Sequence, residues 1–271
     1  LAAKLCGGVT KTTQYAAIIL ELLHTVSLIH DDVVDEAQVR RGQGSVNAVF
    51  GNKVAVLSGD YLLSQVFELS TKIDNKQISQ SFAHLGAMLA EGELIQLQNA
   101  KQPTFEEERY FDVIKKKTAV LFSSCMQCGA FSAKNPSEQQ VKALMEYGEI
   151  LGLCFQIKDD IFDYYSSDVL GKPTGNDMQE GKLTLPALYV LNTLKNPSMI
   201  ELALKIRALD ASDEEIAYFI DYIKQNGGIE YATQVMIEYR NKALAILPDD
   251  ISDELITALT SYIDYVIERN K

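Results

Sequence analysis

The stretch Leu28-Ile29-His30-Asp31-Asp32-Val33-Val34-Asp35-Glu36 closes a run, from about Thr12 to Glu36, in which apolar residues recur at helical spacing. It holds a D-D-x-x-D pattern. Residues four apart share a helix face, so a helix through this stretch sets the carboxylates of Asp31 and Asp35 side by side. Like charges at that spacing destabilise a bare helix, and the apolar flank makes their solvation poorer still. Oxygen ligands kept together against that repulsion suit Mg²⁺, because a hard cation takes carboxylates and shares its remaining positions with water or phosphate. A solvated acidic helix end would carry the same letters, and in an acid-rich helical chain the pattern alone also arises by chance.

The pattern recurs. Gln156-Ile157-Lys158-Asp159-Asp160-Ile161-Phe162-Asp163 carries a second D-D-x-x-D at the far end of the apolar run Ile150–Phe155, 128 residues after the first (Asp31 to Asp159). Two such clusters after core-facing helices are expected to face each other across a cavity and hold metal ions. Basic residues accompany both. Arg40-Arg41-Gly42 follows the first in a loop, where guanidinium forks suit bidentate contacts to phosphate. Lys172 in Gly171-Lys172-Pro173 and Lys182 in Gly181-Lys182-Leu183 follow the second, and Lys115-Lys116-Lys117-Thr118 falls between the two. Each alone reads as a solvated charge; together they surround an anion with metal, arginine and lysine.

Such a local exception is needed, because the formal net charge over 271 residues is −12. That charge argues against nucleic acid or an anionic membrane as the main partner. Hydrophobic residues make up 47% and charged residues 23%, the balance of a globular protein with a sizeable core. Six prolines and no long alternation of apolar and polar residues point to an all-helical chain. No apolar stretch reaches the roughly 18 residues of a transmembrane helix. Cys125 and Cys128 form a C-x-x-C inside an apolar run, with no second pair to complete a zinc site. With Cys6 and Cys154 they read as reduced, mostly buried thiols of a cytoplasmic protein.

Helical patterns run from Thr12 to Glu36, with Thr12 or Thr13 as N-cap, and near Ala48–Ile73, Gln77–Ala100, Phe105–Ser132 and Ser137–Tyr164. Ser137 with Gln140 predicts a capping box. Residues 165–183 read as an ordered loop. Helices follow at Leu185–Leu194, Pro197–Leu209, Asp213–Gln225 (capping box Ser212 and Glu215, stop at Gly227-Gly228), Ile229–Leu247 and Asp253–Arg269. No linker or repeat divides the chain, so a single domain over residues 1–271 is expected. It opens on Leu1 in mid-helix, without an initiator Met, which reads as a missing N-terminal segment.

The string D-D-x-x-D-x-x-x-x-R-R-G, with a later D-D-x-x-D-x-x-x-x-x-x-x-G-K-P-x-G-x-D, resembles the trans-isoprenyl diphosphate synthases, or polyprenyl synthetases. The likeness runs from His24 through Gly59-Asp60 and Lys117-Thr118 to Phe155-Gln156 and Pro186, and with the helical tail spans almost the whole chain. It implies an all-α fold: one large bundle of mostly antiparallel helices around a deep central cavity, assembled as a homodimer. It further implies that Asp31 and Asp35 hold Mg²⁺ with Asp32 in support, and that Asp159 and, less directly, Asp160 and Asp163 complete the metal site. Arg40 would bind an allylic diphosphate, and Arg41 and His24 isopentenyl diphosphate. Lys117, Thr118, Gln156, Lys172 and Lys182 match allylic-diphosphate positions, with Lys117 and Lys172 also counted as catalytic.

The reaction implied is addition of isopentenyl diphosphate to an allylic diphosphate primer. Diphosphate leaves, an allylic cation forms, the isopentenyl double bond attacks it, and a proton is lost. In this family the residues four and five before the first motif line the floor of the chain-length cavity. Here they are Ser27 and Val26, both modest in size, which implies a long-chain product such as octaprenyl diphosphate, with Phe82 as a deeper floor. A short-chain farnesyl or geranylgeranyl synthase is the alternative. A terpene cyclase is disfavoured by the intact second motif and by Arg40-Arg41, and a non-catalytic synthase subunit by the integrity of both motifs. The family's upstream G-G-K-x-x-R-P segment, which binds isopentenyl diphosphate, is not in the sequence.

Overall fold

In a computed structural model, described for residues 1–99, 104–165, 174–248 and 251–269, helices dominate the chain and the expected all-α class is met. The elements are α1 (Ala2–Leu5), α2 (Lys11–Val34), a hairpin of β1 (Val39–Arg40) and β2 (Gln43–Gly44), α3 (Val46–Phe50), α4 (Asn52–Ser70) and α5 (Lys76–Asn99). Next come α6 (Glu107–Ile114), a π-helical turn (Lys115–Ala119), α7 (Val120–Phe131), α8 (Glu138–Asp163) and the short α9 (Asn176–Gln179). The chain ends with α10 (Leu185–Leu194), α11 (Pro197–Arg207), α12 (Asp213–Gln225), α13 (Gly228–Ala245) and α14 (Asp253–Glu268). No helix among the described residues is long and apolar enough to cross a membrane.

Two compact units divide these elements. One holds Leu1–Leu89, Val120–Gly148 and Leu247–Ala258; the other holds Ala90–Ala119, Glu149–Ile246 and Leu259–Lys271. In the first, α2 presents Ala16, Ile19, Leu20 and Leu23 at helical spacing to a core shared with Val66 of α4, Ile78, Phe82 and Leu85 of α5, and Val120 and Cys128 of α7. In the second, α12 turns Ile216, Phe219, Ile220 and Ile223 into a core with α10 and α11. Helix α10 is buried almost all round, through Leu185, Ala187, Leu188, Val190 and Leu191, as a helix without a polar face must be. Each large side chain so buried contributes about 2 kcal/mol. Truncating the fully buried Phe219 to Ala would cost about 3–5 kcal/mol.

Several boundaries differ from the expected ones for local reasons. The N-cap of α2 is Thr10, not Thr12 or Thr13. Its hydroxyl accepts from the Thr13 N–H at 3.2 Å, and the Thr13 hydroxyl accepts from the Thr10 N–H at 3.0 Å. The helix expected over 48–73 is two, α3 and α4, broken where Gly51 adopts φ +83°. The Arg40–Gly44 loop is a two-residue hairpin turned at Arg41 (φ +52°) and Gly42 (φ +77°). The helix expected over 105–132 is interrupted by the π turn, and the loop over 165–183 contains α9. Cys6, Cys128 and Cys154 are buried, while Cys125 is exposed.

Candidate active site

The first motif sits on the last turn of α2. The Asp35 N–H closes the helix on the Asp31 carbonyl at 2.8 Å, so Asp31 and Asp35 stand one turn apart on one face, both half-buried. Asp32 lies about 100° round the helix from Asp31 and is only 3% exposed. Its Oδ1 accepts from Arg40 Nε at 2.9 Å and from Arg40 Nη2. The hairpin is thus tied back to the helix that precedes it. Asn47 strengthens the tie by donating to the carbonyls of Asp32 and Ala37, both at 3.0 Å. Arg41, at the hairpin tip, is exposed. On α2 the half-buried His24 is held below its ordinary pKa by burial and by Arg41 and Arg40, with Glu21 opposing, so its ring is neutral at pH 7.

His30, just before the motif, lies across Gly59 of α4. A Cβ at residue 59 would meet its Nε2 at 2.2 Å, so only glycine lets the ring pass. In this position His30 Nε2 is 3.3 Å from the Val56 carbonyl oxygen and 3.7 Å from Asp60.

The second motif sits on the last turns of α8, within a hydrogen-bonded chain that joins three expected residues to one not foreseen. Thr118 donates to Gln156 Oε1 at 2.7 Å, and Gln156 Nε2 donates to Asp160 Oδ1 at 2.8 Å. Tyr110 of α6 donates to Asp160 Oδ2 at 2.5 Å. Asp160 is 3% exposed. Burial pushes its carboxyl up to about 7, with Asp159 and Asp163 adding to the rise while Tyr110 and Gln156 hold it down. Asp163 has a structural duty that the sequence does not announce. Its two oxygens accept the N–H groups of Asn176 (2.9 Å) and Asp177 (3.1 Å), anchoring α9. Asp177 is raised well above the carboxylate range by burial and by Asp160 and Asp163. Asp159 meets Arg269, whose Nη2 is 2.5 Å from Oδ1.

The π turn places Lys117 and Thr118. Gly92 of α5 crosses it so closely that a Cβ there would come within 3.0 Å of Lys116 Cβ and the Lys117 nitrogen. An inserted π residue re-aims side chains at functional sites. Here Lys117 Nζ reaches Glu93 Oε2 at 2.5 Å and Gln96 Oε1 at 3.4 Å. Lys182 pairs with Glu180 at 2.6 Å. Lys172 lies outside the described residues. Among the expected chain-length residues, Val26 and Phe82 are each 6% exposed, and the Ser27 hydroxyl donates to the His24 carbonyl at 2.9 Å. Tyr110, Glu93, Gln96 and Arg269 carried no motif signal; each is found only through its long-range partner.

The donor set is all oxygen, which fits a hard cation. Among the described residues no three His, Cys, Asp or Glu side chains form a closed cluster ready to hold a metal. The Asp31 and Asp35 carboxylates, one turn apart at the end of α2, suit a divalent cation that takes its remaining ligands from water and phosphate.

A family profile described as polyprenyl synthetase matches residues 1–223. The octaprenyl diphosphate synthase of Escherichia coli K12 is 35% identical over 255 residues, covering 92% of this chain and 78% of that protein. A geranylgeranyl pyrophosphate synthase structure from Bacteroides thetaiotaomicron is 47% identical with a TM-score of 0.87, over 99% of this chain and 84% of that one. A polyprenyl synthase from Caulobacter crescentus, complexed with calcium and isoprenyl diphosphate, is 32% identical with a TM-score of 0.92, over 100% of this chain and 82% of that one. By sequence and by fold alike, the chain belongs to the polyprenyl synthetase family.

Proposed function

We propose that this protein is a Mg²⁺-dependent trans-prenyltransferase that condenses isopentenyl diphosphate with an allylic diphosphate to make a long-chain all-trans polyprenyl diphosphate. The observation that carries the reading is the presence, in a chain of this family, of two complete aspartate motifs. Each has its second aspartate buried, which leaves the first and last to lie one turn apart on the same face of their helix.

Asp31 and Asp35 of the first motif and Asp159 of the second are the residues to hold Mg²⁺, with Asp160 and Asp163 less directly involved. Bound there, the metal would neutralise diphosphate charge and make it a better leaving group. The side chains do the rest. Arg40 and Lys117, with Thr118, Gln156, Lys172 and Lys182, bind and orient the allylic diphosphate. Arg41 and His24 receive isopentenyl diphosphate. Departure of diphosphate leaves an allylic cation, the isopentenyl double bond attacks it, and the released diphosphate takes the proton. No side-chain nucleophile is required.

The long-chain reading rests on Val26 and Ser27, which place no aromatic ring one turn before Asp31. A second reading, a geranylgeranyl product, is favoured by the 47% identity to the B. thetaiotaomicron enzyme. Incubation with farnesyl diphosphate, isopentenyl diphosphate and Mg²⁺, followed by chromatographic sizing, decides between them. Products beyond C20 support the first, a C20 product the second, and no consumption of isopentenyl diphosphate refutes both. Asp31→Asn and Asp159→Asn should each lower kcat by about 10²–10³.

The same proposal makes the enzyme a cytoplasmic homodimer. Phe50, Val54, Leu57 and Tyr61 form an exposed apolar row along α3 and α4, the kind of face a partner subunit covers.

A further inference from the structure

Arg269 follows the last turn of α14, its N–H bonded to the Tyr265 carbonyl at 2.9 Å. Its guanidinium is held in three ways. Nη2 donates to the Phe155 carbonyl at 3.1 Å and to Asp159 Oδ1 at 2.5 Å. The cation lies over the Phe155 ring at 4.2 Å and the Phe162 ring at 5.4 Å. Phe155, Asp159 and Phe162 stand at i, i+4 and i+7 on α8, so one helix face offers an aromatic cradle with a carboxylate between the rings. Nε is buried without a hydrogen-bond partner among the described residues. Most of this anchoring does not involve Asp159. The Phe155 carbonyl and ring therefore help to keep the arginine beside the carboxylate in the metal-free protein.

We propose that Arg269 is a positioning residue, the built-in counter-ion of Asp159. It holds that carboxylate in place in the metal-free protein and gives way when a divalent cation arrives with diphosphate, which couples metal loading to the last turn of α14. The inference rests on the reading of Asp159 as a metal ligand. A fixed cation next to a ligand lowers the affinity of that ligand for a second cation. Removing the charge must then tighten metal binding, whereas a residue that only stiffened α14 would leave it unmoved.

The test is Mn²⁺ binding in the presence of inorganic diphosphate, read by electron paramagnetic resonance of free Mn²⁺ on the whole protein. Arg269→Gln should bind Mn²⁺ about fivefold more tightly, the scale of a partly exposed ion pair. Arg269→Lys, which keeps the charge, should stay near the wild-type value. Unchanged or weaker binding in Arg269→Gln overturns the inference. Asp159→Asn separates the two levels of the argument. If it leaves Mn²⁺ binding unchanged, Asp159 is not a ligand and the underlying reading falls. If it weakens binding while Arg269→Gln does not tighten it, only the counter-ion role falls. Should Arg269→Gln fail to fold, hydrogen exchange on the wild-type protein decides. Mn²⁺ with diphosphate should speed exchange at the Arg269 amide, and an unchanged rate refutes the coupling.

Discussion

Gly59→Ala tests how the helix carrying the first aspartate motif is seated. An alanine Cβ at residue 59 would stand 2.2 Å from His30 Nε2, 2.6 Å from Cδ2 and 2.9 Å from Cε1, against 3.4–4 Å for ordinary contact. The ring must move by more than 1 Å, away from the Val56 carbonyl and Asp60. Overpacking of this kind costs about 2 kcal/mol. Alanine in place of glycine inside a helix returns about 1 kcal/mol. The net expectation is a loss of about 1 kcal/mol, read as a lower urea midpoint at unchanged slope. In a His30→Ala background the clash is gone, and Gly59→Ala should instead stabilise by about 1 kcal/mol. The double-mutant cycle thus predicts a coupling of about 2 kcal/mol between residues 30 and 59. If Gly59→Ala is as stabilising with His30 present as without it, the ring does not lie where this reasoning puts it.

Val26→Phe or Ser27→Phe should shorten the product by narrowing the proposed chain-length cavity one turn before Asp31; unchanged product length on chromatography refutes the assignment of these residues. Leu57→Glu, at a position 66% exposed, should halve the mass seen by light scattering while leaving the helical circular dichroism intact, and retention of the dimer would clear this face of the role. Asp160 gives a pH prediction for the metal-free protein. Its carboxyl rises from 3.8 unfolded to about 7 folded, so the folded state binds more protons between those values and stability falls as pH climbs from about 4 to 7. Asp160→Asn should remove that component, and urea midpoints with the same pH slope in both proteins would refute it.

Where the sequence was legible, the signal was local. The capping boxes at Ser137 with Gln140 and at Ser212 with Glu215 form as expected, because both partners lie within one turn. At the start of α2 three threonines compete, and local rules cannot rank them. Tertiary partners do: Thr10 donates to the Ser132 carbonyl at 2.8 Å, and the Thr13 hydroxyl lies 2.7 Å from that of Ser132. The π turn was invisible because one inserted residue barely disturbs an apolar period. What marks it is the close crossing at Gly92, some twenty residues away in sequence. The hairpin escaped because its first turn residue is Arg41, not the Asn or Asp that usually advertises such a turn. Tyr110 and Arg269 reach their aspartates across separations of 50 and 110 residues, so no spacing rule could pair them.

The aspartates themselves show why the motif has three acids and not two. Helical geometry puts the first and last on one face and turns the second about 100° away. In both copies the second is driven into the protein, Asp32 and Asp160 each being 3% exposed. A buried carboxylate needs partners, and the two copies solve this differently. Asp32 takes a cation, Arg40, and thereby pins the hairpin that displays Arg41. Among the described residues Asp160 takes neutral donors, Tyr110 and Gln156, and burial, with Asp159 and Asp163 beside it, lifts its carboxyl to about 7. The inward acid is therefore a strut between its helix end and a neighbouring element, the hairpin at the first motif and α6 at the second. Each strut also ties in residues expected to meet diphosphate: Arg40 directly at the first motif, and Thr118 through Gln156 at the second. A chain that lost the inward acid would lose the ties from Asp32 to Arg40 and from Asp160 to Tyr110 and Gln156.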